Sequence, residues 1–241
     1  MKRKLLTGIV TLTVCISMFA ATNMCIKLED GQIVKYDVEN VVEVYYETNI
    51  NDTTPPLIDS FIVDASETSL EFRFLSDTTA EVAKGDQDLD TLNIPSKVRI
   101  DGKVYKVTSI GYAAFSNCSS LASIIIPEGV KSIESYAFVS CTSLASITIP
   151  EGVTIIGFST FSGCSKLASI TIPKSVKSIE SFAFASCTNL ASITIPESVT
   201  YIGSRAFSNC ENLDVVIENS KENVEIEDSS FPGWKSVTYT K

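Results

Sequence analysis

From Val107 onward the apolar positions of the chain recur in one fixed order, separated by constant runs of polar residues. Ile110, Ile133, Ile156, Ile179 and Ile202 lie 23 residues apart, and Phe115, Phe138, Phe161, Phe184 and Phe207 keep the same step. Cys118, Cys141, Cys164, Cys187 and Cys210 follow it too, as do Leu121, Leu144, Leu167, Leu190 and Leu213. Pro127, Pro150, Pro173 and Pro196 punctuate each unit. Such a period marks a repeat architecture, in which one unit cannot bury its apolar face alone and does so by stacking on its neighbours.

The elements inside one unit follow from local pattern. In "LASITIP", beginning at Leu144, strand alternation sends Ile147 and Ile149 inward and Ser146 and Thr148 outward. Pro150 ends the strand because it has no N–H to give to a ladder. "GVTII" reads as a second short extended run with Val153 and Ile156 inward. "GFSTFSGC" is too short for an ordinary helix and is expected to form a helical turn with Phe161 and Cys164 inward. Burying each large apolar side chain between its own copies contributes about 1.5–3 kcal/mol.

Upstream the pattern changes to hairpins. "CIKLEDGQIVKYDVENVVEVYYE" places Asp30-Gly31 between alternating runs, and "KVRIDGKVYKV" does the same with Asp101-Gly102. "FIVDASETSLEFRFLSDTTAEVA" predicts two or three strands with a turn near Asp77, while the polar, Pro55-Pro56-bearing stretch before it reads as a linker. The expected organisation is a signal peptide (1–22), a β-hairpin segment (23–47), a linker (48–60), hairpins capping the solenoid (61–106), the repeats (107–218) and a degenerate last repeat with C-terminal cap (219–241).

The signal reading rests on Lys2, Arg3 and Lys4 before the apolar run Leu5–Ala21, which is short for a membrane span of about 20 residues. The alternatives are a retained anchor and lipid attachment at Cys25. Asn23 and Met24 stand where a lipoprotein signal wants small residues, so Cys25 is read as an apolar strand residue.

Composition then removes several function classes. With 19 basic against 29 acidic side chains the net charge is −10, which argues against nucleic acid as a partner. There is no histidine, so the commonest general base, the commonest zinc ligand and every Ser-His or Cys-His nucleophile are missing. No phosphate-cradling loop, paired-carboxylate motif or metal-ligand spacing is present, and no cofactor is expected. The five in-register cysteines present parallel side-chain vectors, which suit neither a zinc site nor disulfides, and they are read as small buried hydrophobes.

The unit "VTSIGYAAFSNCSSLASIIIP" from Val107 and its four successors resemble the leucine-rich repeat superfamily, specifically the bacterial surface-antigen type called BspA-like. "FLSDTTAEVA" and "IPSKVRIDGKVYKVTSIG" look like the opening segments of such proteins. The resemblance implies a β-rich solenoid, a right-handed coil of about five 23-residue turns with N-terminal β-hairpin caps. It also implies export and a non-catalytic role in adhesion or protein binding.

Two surfaces are candidates for that role. One is the outward strand face of Ser146, Thr148, Ser169, Thr171, Ser192 and Thr194, uncharged and monotonous, which suits a repetitive ligand or simply a soluble strand surface. The other is an edge carrying Tyr112, Tyr136, Phe158 and Phe182, which either anchors a partner or packs over the apolar seam between turns. Lys131 and Lys177 alternate with Thr108, Thr154 and Thr200, and Glu134 and Glu180 with Gly111, Gly157 and Gly203, so the period there is 46 and like charges are kept from stacking. The expected partner is an extracellular or cell-surface protein or a glycan, bound by a monomer that has no transmembrane helix once processed. A hydrolase is the weakest alternative. Intact-mass measurement of exported protein is expected to find a mature chain beginning between about Ala21 and Cys25; a mass that retains Met1, or a lipid adduct on Cys25, would overturn simple secretion.

Overall fold

A computed structural model describes residues 23–27, 33–37, 62–227, 229–230 and 236–241. The chain divides into two units, Met1–Glu43 and Val44–Lys241. In the first, β1 (Asn23–Lys27) and β2 (Ile33–Asp37) pair antiparallel, from Asn23 opposite Asp37 to Lys27 opposite Ile33. The expected signal, the Asp30-Gly31 turn and the 48–60 linker lie outside the described residues.

The second unit opens with β3 (Ile62–Asp64), β4 (Glu71–Phe74), β5 (Thr79–Lys84), β6 (Thr91–Asn93), β7 (Lys97–Ile100) and β8 (Lys103–Ile110). β4–β5 and β7–β8 are the two expected hairpins. At the second, Asp101 and Gly102 both take positive φ (50° and 77°), as a tight two-residue turn between right-twisted strands requires.

Each repeat then gives two short strands. β9 (Ser123–Ile125), β11 (Ser146–Thr148), β13 (Ser169–Thr171), β15 (Ser192–Ile195) and β17 (Asp214–Ile217) form one side of the coil. β10 (Ser132–Ile133), β12 (Ile155–Ile156), β14 (Ser178–Ile179), β16 (Tyr201–Ile202) and β18 (Glu225–Ile226) form a second. Pairing is parallel and in register: Ile147 lies against Ile124 and Ile170, and Ile179 against Ile156 and Ile202.

The solenoid is longer than the five-turn expectation. β6 pairs with β9 in the register of a repeat strand, Leu92 beside Ile124, and β19 (Ser236–Tyr239) continues the side beyond β17, Val237 beside Val215. Counting β6 and β19, seven strands occupy the first side, so the coil has about seven turns. The first was hidden because the β7–β8 hairpin is inserted between "TLNIP" and "VTSIG", which breaks the 23-residue step.

The third side differs from the helical turn that the sequence predicts. It is a chain of tight turns. Thr160, Ser162 and Cys164 donate their N–H groups to carbonyls three residues back, at Gly157, Ser159 and Phe161. The residues between them, Ser159, Phe161 and Gly163, donate to Ser181, Ala183 and Ala185 of the next coil at 2.7–3.1 Å. Every second amide is therefore spent within the coil and every other one between coils, and no helix is needed to satisfy the backbone. The geometry demands left-handed residues: Ser159 (φ 52°) and Gly163 (φ 76°) here, Tyr136 and Ser140 before, Phe182 and Ser186 after.

Inside, the phenylalanines form one continuous stack from Phe115 to Phe207, with neighbouring centroids 5.3–5.5 Å apart and planes within 13° of parallel. Gly85 of the first coil closes this stack, since a Cβ there would collide with the ring of Phe115. Phe161, at the middle of the stack and fully buried, is expected to lose about 3–5 kcal/mol of stability on substitution by Ala, read as a drop in the urea midpoint, with Phe161→Leu costing markedly less.

Candidate functional site

On the first side the register places Ser146 beside Ser169 and Thr148 beside Thr171, exposed on either side of the buried pair Ile147 and Ile170, and the next coil repeats the pattern with Ser192 and Thr194 exposed around Ile193. Coil-to-coil spacing in such a ladder is about 4.8 Å. Ile125, 56% exposed, replaces the threonine at one end, and Val216 follows Thr194 at the other. The residues after the prolines border this face with Glu151, Lys174 and Glu197. Lys241 pairs with Glu197 at 2.5 Å and holds that carboxyl below the usual range.

The aromatic edge stands on the turn side. Tyr112, Tyr136, Phe158 and Phe182 form an unbroken ladder with centroids 5.3–5.6 Å apart and planes tilted by 52–65°. The guanidinium of Arg205 continues it, 5.8 Å from the Phe182 ring. Tyr112 is 64% exposed and Phe158 36%, while Tyr136 and Phe182 are half-buried. The ladder thus packs on itself and still offers surface. It is assembled by a register shift: Tyr112 and Phe158 occupy one position of their turn, with Ala113 and Ser159 after them, whereas Tyr136 and Phe182 occupy the next, with Ser135 and Ser181 before them. The shift sets Tyr136 and Phe182 in the left-handed region, φ 62° and 59°, where a bulky side chain costs on the order of 1–2 kcal/mol.

One feature of this surface went unread in the sequence. Ile155, 50% exposed, interrupts the otherwise polar outward column Ser132, Ser178, Tyr201. With Phe158, Gly157, Glu134 and Glu180 it lines a depression of about 380 Å³. The break in the serine column is the signal that could have revealed it.

The cysteine column is buried at all five positions, and its thiols are unpaired by disulfides. The structure adds a reason for cysteine beyond small size. Cys141, Cys164, Cys187 and Cys210 donate Sγ–H to the carbonyls of Phe115, Phe138, Phe161 and Phe184 in the preceding coil at 3.1–3.2 Å. Burial raises every one of these thiols, Cys118 and Cys210 to about 11 and Cys164 to about 12. Cys141 and Cys187 rise for the same reason, reinforced by neighbouring thiols of the column. They are protonated donors at neutral pH and poor nucleophiles.

A profile of the BspA type leucine rich repeat region matches residues 108–238 in 6 copies. No curated protein matches the chain. Among solved structures, the chain is similar to a leucine-rich repeat protein from Bacteroides ovatus, with 34% identity and a TM-score of 0.62 over 70% of this chain and 51% of that one. It is similar to a leucine rich cell surface protein from Faecalibacterium prausnitzii, with 30% identity and a TM-score of 0.59 over 71% and 53%. A leucine rich repeat protein of T. pallidum shares 28% identity with a TM-score of 0.55, over 66% of this chain and 83% of that one. The chain spans about half the length of the first two.

Two outcomes are expected of the thiol column. A thiol reagent should label Cys141, Cys164 and Cys187 slowly in native protein and rapidly in denaturant; fast native labelling would contradict the packing. Raised thiols keep their protons in the folded state while the unfolded chain loses them above the ordinary thiol value of 9.0. Their contribution is therefore complete below about pH 9 and is lost as pH climbs toward 11–12. Urea midpoints measured from pH 8 to pH 10.5 should fall less steeply in Cys164→Ala than in the parent.

Proposed function

The chain belongs to the BspA-type leucine-rich repeat family, and from that premise we propose that it is an exported, non-catalytic binding protein that presents the turn side of its solenoid to another protein at the cell surface or outside the cell. The observation that carries this reading is the aromatic ladder. Tyr136 and Phe182 hold left-handed backbone positions that serine, alanine and arginine fill in the neighbouring coils, at Ser159, Ala113 and Arg205. A strained placement that keeps aromatic rings at the surface, in line with Tyr112 and Phe158, has its use in recognition more than in packing. Export is supported by the basic-then-apolar start of the sequence and by the surface location named for the F. prausnitzii relative. No helix among the described residues is long and apolar enough to cross a membrane. A non-catalytic role fits a chain without histidine whose repeat thiols are buried and protonated.

A second reading, glycan binding or a structural accessory role in the envelope, is favoured by one observation. The columns Ser146–Ser169 and Thr148–Thr171 repeat in strict register and suit a polymer that repeats as well.

The two readings separate on extracellular-protein and glycan arrays, with circular dichroism confirming that each variant is folded. Tyr136→Ala combined with Phe182→Ala is expected to abolish protein-array binding, while Thr148→Lys, Thr171→Lys and Thr194→Lys together leave it intact. The reverse pattern, with glycan binding lost on the lysine variant, would transfer the site to the strand face.

A further inference from the structure

The column Gly111, Glu134, Gly157, Glu180, Gly203 alternates missing side chains with carboxylates, and the pairing of Ile202 with Ile226 sets Glu227 next in line. At each of these glycines neighbouring atoms close in on the place a side chain would take, from a different quarter each time. Over Gly111 the carboxylate of Glu81 fills the space, 3.0 Å from where a Cβ would stand, and Arg73 of β4 pairs with it. Over Gly203 the fit is tighter still, since a Cβ would come within 2.5 Å of the Ser181 nitrogen. There Glu227 receives the Tyr201 hydroxyl at 2.6 Å and the Ser204 N–H at 2.9 Å.

Over Gly157 a Cβ would meet the Ser135 nitrogen and the Thr160 hydroxyl at 3.2 Å, and beside this glycine lies the 380 Å³ depression. Its apolar lining is Ile155 and Phe158, both exposed, and Glu134 and Glu180 flank it from the coils on either side. Two coil spacings set their backbones about 10 Å apart. Glu180 takes one hydrogen bond, from the Ser178 hydroxyl at 2.8 Å, on one carboxylate oxygen. Lys131 also borders the depression, yet its side chain lies over Gly152, where a Cβ would come within 2.5 Å of the ammonium nitrogen. Among the described residues no ion pair joins that lysine to either glutamate.

We propose that the depression beside Gly157 receives an arginine side chain from the protein partner, its stem against Ile155 and Phe158 and its guanidinium between Glu134 and Glu180. The inference rests on the protein-binding reading above and specifies its chemistry. Two arrangements elsewhere in this chain show the same recognition: a guanidinium closes the carboxylate over Gly111, and another lies against the aromatic ladder at Phe182. Arginine combines a planar multiple donor with an apolar stem and a face that packs on aromatic rings, which matches this lining better than the strongly hydrated ammonium of lysine.

The experiment is titration of the ¹⁵N-labelled full chain with N-acetylarginine N-methylamide, followed by amide shifts. N-acetylnorleucine N-methylamide serves as the uncharged control. Saturable shifts centred on Gly157 and Phe158 are expected with the arginine probe and not with norleucine. Glu134→Gln with Glu180→Gln, both surface positions, should weaken the response at least tenfold, and raising salt should weaken it in the parent. Shifts equal for the two probes, or unchanged in the double glutamine variant, overturn the proposal. So does array binding by the whole protein that survives Glu134→Gln with Glu180→Gln, an outcome that leaves the wider protein-binding reading standing.

Discussion

Backbone hydrogen bonds running along the solenoid axis tie each repeat coil to the next, continuously on the turn side and in separate ladders on the two strand sides. On the strand sides they are parallel ladders in register, and on the turn side every second amide reaches the following coil. Once this register is set, any residue type that recurs with the 23-residue step is stacked on itself. The phenylalanine column becomes a stack of parallel rings, and the cysteine column becomes a series of thiols donating to the carbonyls of the coil before. Neither feature is an independent design. Both are what self-stacking turns a repeated apolar residue into, and each satisfies its neighbours completely enough to remain buried.

The same constraint is unforgiving of charge and bulk at the surface. A lysine or glutamate repeated at every coil would face its own kind about 4.8 Å away. The chain answers with a doubled period: Lys131 and Lys177 alternate with threonine, and Glu134 and Glu180 alternate with glycine. Sterics enforce the second alternation as much as electrostatics do, because the backbone of one coil approaches the glycine of the next too closely for a side chain at Gly203. The aromatic ladder obeys the doubled period by another route, moving its ring from one turn position to the next in alternate coils, so that four rings line up although no single sequence column carries them.

On the proposed reading, binding falls where self-stacking is broken. A face that repeats perfectly, such as the serine and threonine columns, offers the same group at every level and discriminates little. The turn side is varied at every level: Tyr112, Tyr136, Phe158, Phe182 and Arg205 succeed one another, and Ile155 interrupts a polar column beside them. Because the core is fully specified by the repeated residues, these positions can differ from coil to coil at little cost to stability, apart from the backbone strain at Tyr136 and Phe182.

The periodicity by itself determined the solenoid, the inward and outward residues of each strand, and the burial of Phe161 and Cys164. It could do so because one apolar set recurring at one step has a single efficient way to be buried. It undercounted the turns, because the inserted β7–β8 hairpin shifts the "TLNIP" strand out of step while leaving Leu92 beside Ile124 in space. It also gave the turn segment the wrong conformation. Among the described residues of the repeats, the left-handed positions are mostly serine, asparagine, alanine and aromatic residues, with Gly163 the one glycine, so the usual glycine marker was missing. Only the tertiary structure decided that Tyr112 and Tyr136, which fall at different places in their repeats, touch. Only it decided that Ile155, Phe158, Glu134 and Glu180, drawn from three coils, line one depression. The reason is physical: what surrounds such a site comes from the coils on either side, and cross-coil contacts such as Arg73 with Glu81 or Tyr201 with Glu227 reach across the stack in ways no single repeat encodes.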